Sequence, residues 1–469
     1  MTRVLARAGV VFSVLAPIAL AVWGLSLQSA TVVGLGVALA AAPLITVLLQ
    51  RWPQVLISTL GFLVGFAPFA TVPGTGTQAI FFLSVPLLVT VLLHPTTSRP
   101  LLGPLGIAVV VLVGFSALTA IATYTERGSI VAFGKWAIAA VITVVALMLN
   151  DDIRRVLSRS FVYGAAAGGV LALLLIAFDE EGRLLDALSI FGYGGASAVN
   201  VRTVTVDGGS VVRATGLYVD PNSAGLFMVF GFAIAGVLFT GARRIVLMAI
   251  LAAVTVATLS RASIGALMVA GLVLVLLSRL SALSRFGLIV LGAAAAAASF
   301  LVPAISSRLF DSFNRSDVGV SARIDAIDRY PEQMAGNWLF GRGWYLREFY
   351  DPDYGYQLNH VANTPLMVVY RAGLMAGILF VIVLAIAVVL SVRAMARRIE
   401  GAGLLGATLI GIVFVAFQAD FPVVTMPPLA MAFGLVLAEV QALQRHPSPA
   451  IPPAPVPVIA KPARAVVLA

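Results

Sequence analysis

About fourteen apolar runs follow one another along this chain, most of them in the range of roughly 17 to 25 residues that a helix needs to cross a bilayer. They lie near 8–27, 31–49, 54–72, 78–93, 101–123, 130–149, 161–178, 222–240, 245–259, 262–278, 286–305, 362–390, 403–419 and 428–444. A segment surrounded by hydrocarbon must pair its own backbone groups. The expected fold is therefore all-α: a polytopic transmembrane helical bundle of about 12–14 spans, occupying residues 1–444.

Composition agrees. Sixty per cent of residues are hydrophobic and 11% charged, with a mean hydropathy of +1.04, whereas a soluble domain carries roughly 25% charged residues. The run at 8–27 follows Arg3 and Arg7 as a signal peptide would, but more spans follow at once, so a retained first helix is expected. No cysteine is present, which rules out disulfides and cysteine metal sites.

Orientation follows from the basic residues. The loops with Arg51, Arg99, Arg154, Arg155, Arg159, Arg243, Arg244, Arg279, Arg285, Arg393, Arg397 and Arg398 fall on one side, with the amino terminus and with Arg445, Lys461 and Arg464. Seventeen of the 30 basic residues lie there with four of the 20 acids, against 13 and 16 on the other side. That side is expected to be the cytoplasm, with both termini in it, and the location the cytoplasmic (inner) membrane. The basic balance is then a topology signal, and no nucleic-acid partner is expected. The proline-rich segment 445–469 is expected to be a disordered cytoplasmic tail.

One stretch breaks the apolar series. Residues 306–360 hold much of the polar chemistry, from SSRLFDSFNRSDVGVSARIDAIDRYPEQM to GNWLFGRGWYLREFYDPDYGYQLNH. A loop of this length beside such spans is usually functional, and the topology makes it one large extracytoplasmic loop. Within it Ile324 and Ile327 share one helical face, with Arg323, Asp325, Asp328 and Arg329 on the others, which also suits a solvated helix with its own ion pairs. Gly341 and Gly343 flank Arg342, as in a tight turn. Neither a strand nor a Walker lysine accompanies them, so this is not a nucleotide loop.

Ionisable residues at membrane depth are functional candidates. Arg213 precedes Pro221 and Asn222, which open a helix. Arg261 sits in a tight outward hairpin, where snorkelling is the plain alternative. The flanking Ser260 and Ser263 favour a polar recess. Lys135 is explained at least as well by snorkelling, and Trp136 reads as an interface anchor. Arg371 lies well inside an apolar run, so either its helix starts outside the bilayer or it faces a polar cavity. His360 stands with Asn363 at the mouth of that helix, while His94 and His446 fall on the cytoplasmic side. One histidine without metal-ligand spacing argues against a metal site, although Asp351 and Asp353 leave a cation site open.

Arginines gathered on an outer face suit a phosphorylated group, because guanidinium forms bidentate bonds to phosphate and stays charged. A polyprenyl diphosphate carrying a sugar would place its diphosphate at this depth. Arginines can stabilise the leaving group without metal or cofactor, and a histidine can take the acceptor proton.

The runs RATGLYVDPN (213–222), TLSRA (258–262), RIDAIDRY (323–330), GRGW (341–344), HVANTPL (360–366) and RAGLMAG (371–377) together resemble the O-antigen ligase and O-antigen polymerase family over residues 206–390. The resemblance implies an enzyme that moves a glycan from a polyprenyl-diphosphate donor to an acceptor glycan or lipid on the outer membrane face, inverting and metal-independent, with no cofactor. It implies Arg213, Arg261 and His360 as catalytic residues, and Arg323, Arg342, Asn222, Asn363 and Arg371 as substrate-binding ones. Many members have histidine directly before asparagine, where this chain has Ala362. Two other classes stay open. A lipid-linked oligosaccharide flippase or transporter suits the spans, although related halves are not evident. A peptidoglycan glycosyltransferase of the shape-and-division type would want an outer-loop acid, such as Asp311, Asp317 or Asp325.

Overall fold

The computed structural model describes residues 22, 53–93, 102–179, 181–193, 203–206, 209–278, 280–300, 318–344, 350–351, 356–357, 361, 363–396, 399, 401–418 and 423–445. The expected spans at 8–27 and 31–49, apart from the helical residue Val22, lie outside them, as do the segment after Arg445 and much of 306–360.

The described chain is mostly helical. Helices α1 (Pro53–Phe66), α2 (Ala79–Leu93), α3 (Pro104–Ala122), α4 (Arg127–Met148) and α5 (Asp151–Phe178) lead to a short α6 (Arg183–Ala187) and the hairpin β1 (Thr203–Val206) and β2 (Gly209–Val212). Then come α7 (Pro221–Leu238), α8 (Gly241–Ala257), α9 (Arg261–Leu277), α10 (Ala282–Phe300) and α11 (Val318–Gln333). A small hairpin, β3 (Tyr350–Asp351) and β4 (Tyr356–Gln357), precedes α12 (Thr364–Met395), α13 (Ala402–Gln418) and α14 (Pro427–Leu443). Helices α3, α4, α5, α7 and α12 are long and apolar enough to cross a membrane. Side chains such as Ile107, Leu118 and Ile121 on α3 are exposed, as expected of a helix that faces lipid.

Lipid tails are as apolar as leucine, so such helices associate through close packing at small residues. Helices α1 and α5 run parallel and meet at glycines. A Cβ at Gly61 would strike the Leu157 carbonyl, and one at Gly65 would strike that of Phe161. From the other side, a Cβ at Gly164 would strike the carbonyl of Phe62. On α13, Gly411 lies against the backbone of Ala266 and Ala270 of α9, and on α14 Gly434 lies against Thr143 of α4.

Contacts at the helix termini separate two ends of the bundle. At the lower end, the start of α5 meets the finish of α14 through a buried ion pair between Arg154 and Glu439, and Arg154 also lies 3.5 Å from Asp151. Arg154 and Glu439 are both 2% exposed. The sequence places Arg154 in a loop, whereas it belongs to the first turn of α5, whose N-cap Asn150 accepts from the amide of Ile153. At the upper end, α7 and α14 begin together, with Ser223 Oγ 3.0 Å from Met426 Sδ. There too α12 begins beside the finish of α13, where Asn363 Nδ2 donates to the Phe417 carbonyl at 3.1 Å.

Candidate functional site

The upper end gathers several of the residues singled out by sequence. Helix α7 starts as the Asp-Pro-Asn run demands. Asp220 is the N-cap, accepting from the amides of Asn222 at 2.8 Å and Ser223 at 3.1 Å, and Pro221 takes the position where a missing N–H does no harm. Before it, residues 213–218 are sunk into the bundle. Ala214 donates its amide to the Ala257 carbonyl at 3.0 Å. Gly216 lies against Ala172 of α5, and the fully buried Tyr218 donates its hydroxyl to the Gly65 carbonyl.

Arg213 is thereby held at a fixed place. It is 9% exposed, its Nε donates to the Thr258 carbonyl at 2.8 Å and its Nη2 to Asn222 Oδ1 at 3.2 Å. Two of the five guanidinium donors thus fix the plane of the group. Thr258 itself stands at the end of α8, three residues before Arg261.

The turn from α8 to α9 is built from Thr258, Leu259 and Ser260. Thr258 Oγ1 donates to the Thr255 carbonyl at 2.7 Å and accepts from the Ser260 amide at 3.2 Å. Ser260 caps α9, accepting from the amide and the hydroxyl of Ser263. The three hydroxyl residues are fully buried. The serines, expected from the sequence to mark a polar recess beside Arg261, fasten the turn. Leu259 takes φ 49°, a conformation a leucine adopts at a cost of about 1–2 kcal/mol. The turn ends on Arg261, the half-buried first residue of α9. Gly225 of α7 allows this approach, since a Cβ there would meet Ser263 and, at 3.0 Å, Thr258 Oγ1.

A second group forms around Trp344. The segment after α11 docks on α12 where that helix is broken at Gly373, with φ 82° and ψ 170°. The Leu374 amide donates to the Trp338 carbonyl at 2.8 Å, and the Arg342 amide to the Tyr370 carbonyl at 2.6 Å, so the loop satisfies groups that the break sets free. Gly341 takes φ 76° and Gly343 φ 101°, in keeping with the expected turn. Arg342 Nη1 donates to the Gln333 carbonyl at 2.8 Å. Arg371 Nη1 donates to the Trp344 carbonyl at 3.0 Å, with its guanidinium carbon 5.8 Å from the centre of the Trp344 ring.

Trp136 differs from the expected interface anchor. It is 5% exposed, with its ring 4.8 Å from that of Trp344. Helix α11 also turns differently from the expectation. Ile324 and Ile327 are exposed, and the buried stripe is Ala326, Tyr330 and Met334, because the Tyr330 hydroxyl reaches the Leu366 carbonyl at 2.7 Å.

Of the remaining candidates, Asn363 caps α12, accepting from the Leu366 amide at 3.0 Å, and Arg323 belongs to α11. His360 lies outside the described residues. The structure thus brings Arg213 and Asn222 into contact beside the turn that carries Arg261, and places Arg342 and Arg371 around Trp344. Sequence reasoning missed the support of these arginines, namely the Thr258 carbonyl and the left-handed Leu259, together with the hairpin at 203–212. The alternating T-V-T-V and the D-G-G turn are a hairpin signal.

Burial raises the pKa of the Tyr193 phenol at this end, and raises that of Tyr218 well above its ordinary value, the latter also through its neighbour Tyr193. No group of three or more histidine and carboxylate side chains that could hold a metal occurs among the described residues. The chain matches no protein-family model, and no curated protein matches it.

Proposed function

We propose that the protein transfers a glycan from a polyprenyl diphosphate to an acceptor on the outer face of the cytoplasmic membrane, in the manner of the O-antigen ligases and polymerases it resembles. The observation that carries this reading is the fastening of Arg213 to Thr258, beside Arg261. Two guanidiniums from separate chain segments sit at one end of an apolar bundle, held by buried hydrogen bonds and a strained turn. Fixed cations of this kind are what a diphosphate leaving group requires.

In this reading the upper end faces the outside and the lower end the cytoplasm. Arg213 and Arg261 hold the diphosphate, with Asn222 fixing the plane of Arg213. The acceptor hydroxyl attacks the anomeric carbon, the bond from that carbon to the diphosphate oxygen breaks, and polyprenyl diphosphate leaves with the negative charge. His360 takes the hydroxyl proton, and inversion follows from the single displacement. Arg342 and Arg371 hold backbone carbonyls, which gives them the part of positioning the loop over the site. Arg323 and Asn363 contribute to glycan binding. No metal takes part.

Product analysis tests the proposal. The protein in nanodiscs is given a glycan on polyprenyl diphosphate and a range of acceptors, alongside Arg261→Ala and His360→Ala. Free polyprenyl diphosphate with a lengthened or transferred glycan, lost in both variants and retained in EDTA, is the expected result. Normal activity of Arg261→Ala would remove the diphosphate clamp. The broken helix α12 favours one other reading, a lipid-linked oligosaccharide transporter, because interrupted spans often mark transport sites. Intact donor that crosses the bilayer in a flipping assay would support that reading instead.

A further inference from the structure

At the lower end, away from the arginines described above, α3, α12 and α14 leave a cleft of about 240 Å³ whose lining includes Gly103, Pro104, Leu390, Gln441, Gln444 and Arg445. Gln441 is 7% exposed, and its Oε1 accepts no hydrogen bond among the described residues. A buried amide oxygen without a donor calls for a partner from outside the protein. Gly103 keeps the space beside it open, since a Cβ there would stand 3.1 Å from Oε1. The other two polar side chains are anchored across helices. Gln444 Nε2 donates to the Leu390 carbonyl at 2.9 Å, and Arg445 Nη2 to the Leu147 carbonyl at 2.6 Å. Among the described lining residues Arg445 is the charged one, just past the carboxyl end of α14.

The rest of the described lining is apolar, and about one helical turn after Pro104 the exposed Ile107 of α3 continues it. A cation, a buried acceptor and an adjoining apolar face suit an amphiphile. The volume is below the roughly 300–1,000 Å³ of sites for drug-sized ligands, and fits a headgroup. We propose that this cleft binds the headgroup of an anionic, hydroxyl-bearing phospholipid of the adjacent leaflet, such as phosphatidylglycerol. The Arg445 guanidinium takes the phosphodiester, a headgroup hydroxyl donates to Gln441 Oε1, and the acyl chains lie along α3 and α12. The proposal does not depend on the function proposed above, because it concerns the opposite end of the bundle.

The test is native mass spectrometry of the full chain released from nanodiscs of equal phosphatidylglycerol and phosphatidylcholine, the second lipid having neither net charge nor a hydrogen-bond donor. The expected result is an excess of about tenfold or more of phosphatidylglycerol adducts. Arg445→Gln and Gln441→Leu should bring the two lipids towards parity, and Arg445→Lys should keep the preference. Gly103→Val fills the cleft against the Gln441 amide while leaving both polar side chains in the chain, and should remove the adducts while the melting temperature stays within a few degrees. Equal adducts in the unaltered protein, or a preference that survives Arg445→Gln and Gly103→Val, would overturn the proposal. So would loss of the phosphatidylglycerol adducts to millimolar inorganic phosphate, which would show that the site reads free phosphate.

Discussion

Leu259 is the described non-glycine residue with positive φ, at 49°, and it stands between the carbonyl that holds Arg213 and the helix that begins with Arg261. Backbone strain of this kind persists where the surroundings over-determine it, and here buried Thr258, Ser260 and Ser263 do so. Its energetics can be checked by reversing an ordinary order. At most buried positions glycine is worse than alanine by about 1 kcal/mol, but at a left-handed residue glycine relieves the strain. Leu259→Gly should therefore melt above Leu259→Ala, although both lose the buried side chain. The reverse order would show an unstrained turn. The buried phenols offer a second check. The pKa values of Tyr193 and Tyr218 are raised in the folded state by burial, so the folded protein keeps protons that the unfolded chain releases near the ordinary value of 10.0. The stability they contribute is complete below pH 10 and is lost as pH rises towards their folded values. In a spectrophotometric titration these two tyrosines should ionise after the exposed ones and together with unfolding. Ionisation of every phenol near pH 10 in the folded protein would contradict this.

At the scale of elements, the break in α12 and the loop that fills it form one unit. Gly373 takes a backbone conformation open almost only to glycine, and a Cβ there would strike the Leu339 carbonyl. Gly341 faces it, where a Cβ would stand 2.7 Å from the amides of Ala372 and Gly373. Gly373→Ala should cost more than about 2 kcal/mol from strain and collision together, and open residues 337–344 to proteolysis. Gly114 on α3 has open space at its Cβ, so Gly114→Ala should be neutral or mildly stabilising. If the two substitutions melt alike, the docking of loop on helix is not what holds the segment. This element also shows what the sequence can and cannot reveal. The helix starts are legible because they rest on local chemistry: Asp220 with Pro221, Ser260, and Asn363 with Pro365 each mark an N-terminus. The turn around Arg342 is legible from its glycines. The break at Gly373 is not, because R-A-G-L reads as continuous apolar helix and only a loop some thirty residues earlier in the chain makes it a bend. Trp136 is misread for the same reason, since its partner Trp344 is distant in sequence. The hydrogen bond from Arg213 to the Thr258 carbonyl is likewise beyond periodicity and composition.

For the molecule as a whole, the two ends of the bundle differ in how they treat charge. At the upper end the arginines Arg213, Arg342 and Arg371 hold backbone carbonyls. At the lower end Arg154 instead meets the carboxylate of Glu439, with both side chains buried. The first arrangement suits an anionic ligand, and the second joins α5 to α14 across the molecule. The contrast can be measured. Removing one partner of a buried pair strands the other charge, at a cost of about 3–5 kcal/mol, whereas replacing both with apolar groups is often neutral or better. Arg154→Ala, which strands the buried Glu439, should therefore lower the melting temperature sharply, and Arg154→Met with Glu439→Leu should restore most of it. Since neither residue belongs to the upper end, the double variant should also recover the proposed glycan transfer along with its fold. Arg213→Lys should do the opposite. It keeps the charge, so the bundle should melt nearly as before, but one ammonium cannot serve both the Thr258 carbonyl and Asn222 while presenting a planar face to a diphosphate. The proposed transfer should fall by about a hundredfold in that variant, in keeping with the loss of one preorganised donor group. Full activity in Arg213→Lys would mean that its charge alone matters and that the hydrogen bonds to Thr258 and Asn222 only support the fold.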